Sequence, residues 1–156
     1  MREVALCECL LGKIREQIER TSHLIGLVPP EHWEWTPGPA AWTAKELRGH
    51  LLDCMAGFCA VLAAAEPQRL AHFARLREAP ATLEILRAHV EEGFALLTDA
   101  DLTRRVPTVF VAQGETLLTL LLGNLEHLIN HKHQLFCYLK QMGVAVATPD
   151  LYRFRA

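Results

Sequence analysis

Apolar residues recur at three- and four-residue intervals through most of the chain, the spacing that gathers them on one face of an α-helix. Between residues 3 and 26 they fall at Val4, Leu6, Leu10, Leu11, Ile14, Ile18 and Ile25, with Arg and Glu between them, and predict an amphipathic helix ending near Gly26. A second run, TAKELRGHLLDCMAGFCAVLAAAE, opens at Thr43, whose hydroxyl can cap the backbone while Glu46, three residues on, completes a capping box. It continues to about Glu66, and Pro67 stops it. A third helix is predicted from near Ala81, with Leu83, Leu86, Val90, Phe94 and Leu97 on one stripe. A fourth spans roughly Glu115 to Met142 and halts at Gly143, a glycine placed just past a helix end. Four long helical patterns without alternating strands indicate an all-α four-helix bundle, one domain over residues 1–156.

The connections carry their own signals. LVPPEHWEWTPGPAAW is crowded with prolines and holds Trp33 and Trp35, so it reads as a long connection whose aromatics cap the core. Residues 68–77 allow a short extra helical turn with a basic, solvated side. In DADLTRRVPTVFVAQGE the helical pattern breaks at Pro107 and Gly114, with a brief extended piece at Val109 to Val111. The tail places Leu151, Tyr152 and Phe154 where they can dock on the bundle.

Composition narrows the function classes. Sixteen basic against eighteen acidic residues leave a formal charge of −2, without the basic surplus that a nucleic-acid binder uses to neutralise phosphates. Glu3 and Glu8 interrupt what would be a secretory signal, which places the chain in the cytoplasm as an expectation. The longest apolar run, Cys54 to Ala65, falls short of the roughly twenty residues needed to cross a bilayer, so no membrane role is expected. The five cysteines show no disulfide-framework spacing and no CxxC, and read as reduced core thiols; Cys7 and Cys9, two apart, fall on different faces.

Chemistry concentrates in HLINHKHQLFCYLK, residues 127–140. His127 and His131, four apart, project side by side on a helix, whereas His133 points away toward a wet side shared with Glu126, Asn130 and Lys140. Asn124, His127, His131, Gln134 and Tyr138 form one polar stripe bordering the apolar face of Leu117, Leu118, Leu121, Leu125, Leu128, Leu135 and Leu139. Clustered imbedded imidazoles need partners for their ring nitrogens, and a divalent metal is one that serves several at once. A catalytic-type site takes three protein ligands and keeps a position open. His50, mid-helix in LRGHLLDC, supplies the third; Asp53 shares its face and can orient a ligand, and Glu46 can do the same unless its capping role holds it. Satisfied core histidines are the competing explanation of the spacing. HLINH lacks the glutamate of the zinc-protease motif. His23, His32, His72 and His89 read as isolated surface or loop residues.

WTAKELRGHLLD, NLEHLINHKHQLFCYLKQMGV and TPDLYRF, in this order and spacing, resemble the DinB-like (YfiT-like) family of metal-binding four-helix bundles over nearly the whole chain. The resemblance implies an up-down-down-up course, which accounts for the long connections at 27–42 and 98–114, and frequent homodimers. It implies a divalent metal held by one histidine of the second helix and two, four apart, of the last: His50, His127 and His131. Where the family commonly shows H-R-G-Q, this chain has His131, Lys132, His133 and Gln134, a larger group at the usual glycine. Members include thiol-dependent S-transferases and metal-dependent hydrolases, so the resemblance implies a small-molecule substrate, including a low-molecular-weight thiol.

Two functions follow. In the first, an enzyme carries zinc or nickel, with iron or manganese also compatible, on His50, His127 and His131. Asp53 assists the chemistry, and Asn124, Gln134 and Tyr138 contact substrate. In the second, the chain is a non-catalytic dimeric bundle in which a metal only cross-links helices, or which lacks one.

Overall fold

The structure, a computed structural model, describes residues 5–77, 81–108 and 112–153. Four long helices dominate: α1 (Leu6–Gly26), α2 (Ala44–Ala65), α3 (Leu83–Phe94) and α4 (Leu117–Gln141). α2 opens on the expected capping box, in which Thr43 Oγ1 accepts from the Glu46 amide at 3.1 Å and Glu46 Oε2 accepts from the Thr43 amide at 2.8 Å. α3 begins after Thr82, whose hydroxyl accepts from the Ile85 amide at 3.3 Å, and ends at Phe94, so Leu97 lies beyond it. α4 ends at Gln141, and Gly143, just past the Met142 cap, has a φ of +83°, the left-handed conformation that glycine adopts without penalty.

The segment between α3 and α4 differs from the sequence reading. Val109 to Val111 lie outside the described residues; the extended pairing instead joins β1 (Arg105–Val106) to β2 (Glu115–Thr116), antiparallel and two residues long. This pairing delays α4, which starts at Leu117 behind the Thr116 cap rather than at Glu115.

Side-chain contacts establish the helix directions. Cys59 reaches the Leu86 carbonyl and Leu62 abuts Gly93, so α2 and α3 run parallel. Asp99 bonds the amides of Leu6 and Cys7 while Arg15 pairs with Glu91, so α1 runs antiparallel to α3. Asn124 bonds the Cys54 carbonyl and His127 meets His50, so α4 runs antiparallel to α2. The course is therefore up-down-down-up; α1 to α2 and α3 to α4 are diagonal steps, and the parallel step from α2 to α3 takes the crossover connection between Ala65 and Leu83. A 3-10 turn at Ala71–Arg77 fills part of the connection between α2 and α3.

The core takes in Ile14, Ile18, Leu86, Val90, Leu121, Leu128 and Leu135 of the predicted stripes together with Leu47, Leu51 and Phe58 of α2, all buried, whereas Leu6, placed on the first stripe, is exposed in the first turn of α1. As a whole helix α2, at 22 residues, is long and apolar enough by length and composition to cross a membrane; here Leu47, Leu51, Met55, Phe58 and Leu62 are core residues of the bundle. Three cysteines, Cys7, Cys54 and Cys59, are buried as expected; Cys9 is exposed and Cys137 half-buried, and all five are free. Burial pushes the thiols up, Cys7 and Cys54 to about 11 and Cys59 to about 12, which keeps them protonated and inert.

One core residue was not anticipated. Lys132 is only 1% exposed, its ammonium donating to Gln17 Oε1 at 2.6 Å and to the Leu151 carbonyl at 2.7 Å. Burial pushes it down to about 8. These bonds tie the tail to the bundle together with the short helix α5 (Thr148–Leu151), whose Asp150 pairs with His23 at 2.7 Å. Leu151 docks as predicted, whereas Tyr152 is 45% exposed, its ring lying 5.1 Å from the Lys132 ammonium, and Phe154 lies outside the described residues.

Candidate metal centre

The antiparallel contact of α2 with α4 sets His50 against the His127 and His131 pair. His50 Nε2 and His127 Nε2 are 3.0 Å apart. The His131 ring centroid lies 4.3 Å from that of His50 and 4.7 Å from that of His127. One ring nitrogen from each residue falls within 4.8 Å of the other two, and among the described residues no fourth His, Cys or carboxylate donor joins the group. The shortest separation is close to the roughly 3.3 Å that two nitrogens bonded at about 2.0–2.1 Å to one tetrahedral ion would keep. Burial, then repulsion from His131 and His127, holds His50 below the usual imidazole range, against an opposing pull from Asp53. A depressed imidazole is neutral near pH 7 and free to ligate, so the donor set fits a divalent transition-metal ion.

A hydrogen-bonded chain orients His131. Its Nδ1 lies 2.9 Å from Gln134 Oε1. An amide oxygen only accepts, so Nδ1 carries the proton and Nε2 presents its lone pair. Gln134 Nε2 in turn donates to the Tyr138 hydroxyl at 3.3 Å, and Tyr138 donates to the Trp42 carbonyl at 3.0 Å. Outer partners of this kind fix the tautomer and ring orientation of a ligating histidine.

The chain ends on a residue that sequence reasoning left out of the site. The Trp42 ring lies 4.7 Å from the His50 ring and 5.6 Å from the His131 ring, covering one side of the trio. Its position immediately before the Thr43 cap was the available signal, since the residue preceding a helix is carried over the first turns of that helix. Trp35 packs edge-on against Tyr138 at 5.2 Å, and the backbone carbonyls of Trp33 and Trp35 accept from the Lys45 and Ala44 amides. The proline-rich connection is thus stitched to the start of α2, close to the histidines.

The remaining predicted site residues take varied positions. Glu46 is committed to the capping box. Asp53 is exposed, makes no hydrogen bond among the described residues, and acts on His50 only through its charge. Asn124 donates to the Cys54 carbonyl at 2.8 Å across the α2 and α4 contact. It approaches so closely that a Cβ on Gly57 would stand 2.4 Å from its Oδ1, which is why that position is glycine. Asn124 and the exposed His127 line a shallow depression of about 430 Å³ together with Val61, Thr119, Leu120 and Gly123. Gln134 and Tyr138 lie in the His131 chain, Tyr138 buried.

Three histidines read as isolated are not: His23 pairs with Asp150, and the other two meet each other. His72 and His89 meet beside Glu92, with one donor atom of each within 4.8 Å of the others. The extra turn at 71–77 brings His72 over α3, a tertiary placement that no local spacing reveals. His32 is half-buried, with its Nδ1 unpartnered among the described residues.

Fold and site together define a histidine-bearing four-helix bundle with a candidate metal centre between its second and fourth helices. The chain belongs to the DinB superfamily, whose sequence model matches residues 13–135, a span that includes all three histidines of the trio. Among solved structures it is similar to YjoA, a DinB-like protein from Bacillus subtilis, with a TM-score of 0.68 and 24% identity over 93% of this chain and 96% of that one. No curated protein matches.

Proposed function

We propose that the protein is a metal-dependent enzyme, a thiol-dependent S-transferase or hydrolase, with a divalent ion on His50, His127 and His131. Zinc or nickel suits the nitrogen donors, and iron or manganese the same open geometry. The observation that carries this reading is the trio itself: three imidazoles from two helices, one with its tautomer set by Gln134, and no fourth donor to close the shell among the described residues. A structural zinc is normally closed by four protein ligands, so three favour an open, catalytic arrangement. When bound there, the ion supplies Lewis acidity and lowers the pKa of a thiol or water entering its open positions.

The protein's own groups do the rest. His50 and His131 lie under the Trp42 indole, which excludes water from that side. His127 faces the depression lined by Asn124, where a small substrate approaches the trio from the exposed side. Asp53, beside His50 on the outer face of α2, is the acidic group available to hold or move a proton at the rim. The assembly proposed with this reading is the homodimer that the resemblance implies, checked by light scattering.

The test is elemental analysis of protein purified without added metal, followed by a transfer screen with several cellular thiols and with esters and amides. Bound ion and turnover lost together in His50→Ala and His127→Ala support the enzyme. Full metal content with no turnover of any thiol, ester or amide overturns it in favour of a non-catalytic metal-binding bundle.

A further inference from the structure

We propose that His72, His89 and Glu92 form a second divalent transition-metal site, which clamps the connection after α2 to α3. The site shares no residue with the His50, His127 and His131 trio. His89 and Glu92, three apart on α3, project from one face of that helix, and His72 reaches them from the 3-10 turn at Ala71–Arg77. His72 Nε2 stands 2.9 Å from Glu92 Oε1, the two imidazole centroids are 5.7 Å apart, and one donor atom of each residue lies within 4.8 Å of the other two.

His89 carries the feature that separates this cluster from a chance meeting of surface groups. Its Nδ1 lies 2.8 Å from the Ile85 carbonyl. A backbone carbonyl only accepts, so Nδ1 holds the proton and Nε2 keeps its lone pair, the tautomer and restraint found behind ligating histidines. The ring is further held by Phe73, a core residue whose ring lies 4.8 Å from His89 and 4.9 Å from His72. Both imidazoles are therefore backed by the bundle, and each offers one nitrogen to the group that the exposed Glu92 completes.

An ordinary ion pair accounts for less of this arrangement. His72 and Glu92 side chains are 40% and 48% exposed, and a pair so wet stabilises little. It also gives no role to His89, whose second nitrogen, without a hydrogen bond among the described residues, completes a set of two imidazoles and one carboxylate. Two nitrogen donors select a transition metal over calcium or magnesium. The carboxylate leaves the bound ion with a net charge of +1, against +2 in the all-histidine trio, so the clamp is the weaker Lewis acid of the two and its role is to hold α3 to the preceding turn.

Equilibrium dialysis with zinc, repeated with cobalt, tests the proposal on the full chain at micromolar protein and metal. The His50→Ala/His127→Ala variant, its trio dismantled, is expected to retain one ion per chain. Adding His89→Ala is expected to weaken that binding at least tenfold, with far-UV circular dichroism confirming an intact fold. In the same His50→Ala/His127→Ala protein, zinc is expected to shift the ring resonances of His72 and His89. Retention of no ion, binding only at millimolar metal, an ion that His89→Ala leaves in place, or ring resonances of His72 and His89 that zinc leaves unshifted each overturns the proposal.

Discussion

Gln134→Met tests whether the chain from Trp42 to His131 sets the competence of the candidate centre. Methionine keeps the length of the side chain and removes both its acceptor and its donor. Two hydrogen bonds disappear, the 2.9 Å contact with His131 Nδ1 and the 3.3 Å contact with the Tyr138 hydroxyl, and only the first bears directly on a ligand. Without an acceptor at Nδ1 the proton redistributes to Nε2, and the ligating tautomer must be recovered when metal binds. Loss of an outer partner of this kind typically weakens metal affinity about 10–100-fold, which corresponds to about 1.4–2.8 kcal/mol. His131 is only half-buried, so water takes up part of the lost role, and the net worth of a neutral hydrogen bond is about 0.5–1.5 kcal/mol; both place the expectation near tenfold. The assay is zinc competition against a chromophoric chelator in a His89→Ala background, so that only the trio reports. Gln134→Glu restores an acceptor and is expected to recover most of the affinity. Tyr138→Phe, one link further out, is expected to lose less than Gln134→Met. If Gln134→Met binds zinc as tightly as its parent while His127→Ala abolishes binding, the chain has no part in setting the site.

Two further perturbations address the framework around it. Gly57→Ala drives a methyl group into Asn124 Oδ1, displacing the amide from the Cys54 carbonyl; a loss of about 1–3 kcal/mol in urea unfolding is expected, and an unchanged midpoint would show that α2 and α4 can part without cost. Lys132 makes a pH-dependent contribution: its folded value of about 8 lies below its ordinary 10.5, so between these the unfolded chain binds a proton that the folded chain does not, and stability from this group rises with pH. The gap caps the gain at about 3 kcal/mol. Cys7, Cys54 and Cys59, raised to about 11 to 12, act the other way, contributing stability below about 9 that is lost as pH rises through their folded values. The measurement is therefore the difference between wild type and Lys132→Met, in which wild type should gain on the variant from about pH 8 to 10; a constant difference refutes the assignment.

Local rules reached the elements whose causes are local. The Thr43 and Glu46 box, the Gly143 stop and most of each apolar stripe depend on residues within a few positions and stand where their spacing predicts; Leu6, in the first turn of α1, is exposed, and Leu97 lies past the end of α3. The trio was legible for a related reason: His127 and His131 share a helix face, and only one partner from another helix had to be inferred. What escaped depends on tertiary placement. Nothing near His72 in sequence indicates that a turn after α2 will lay it on His89, and nothing in ETLL reveals that Glu115 and Thr116 will pair with β1 before the helix starts. Lys132 is different, because its signal was present. Leu121, Leu125, Leu128, Leu135 and Leu139 follow alternating steps of four and three, and the missing member of that series is position 132. A lysine in a core slot is discounted on residue type, although the geometry of the helix admits no other place for it.

That buried lysine bears on the centre more than its distance from the chemistry implies. Apolar ridges tolerate modest rotation of one helix against its neighbours, since leucine packs acceptably in several neighbouring grooves. Polar groups in a core do not, because each rotated state leaves a donor or acceptor unpaired. α4 carries two such restraints on different faces: Lys132, bonded to Gln17 of α1 and to the Leu151 carbonyl, and the His131 to Gln134 to Tyr138 series, bonded to Trp42 ahead of α2. They begin at consecutive residues, about 100 degrees apart around the helix. One restraint would leave α4 free to pivot about it, whereas two fix its rotation, and that rotation decides whether His127 and His131 face His50. The same comparison explains why the tail is tethered by the Lys132 ammonium instead of by apolar contact alone: the C-terminal segment completes the hydrogen bonding that keeps the helix bearing two of the three histidines in register.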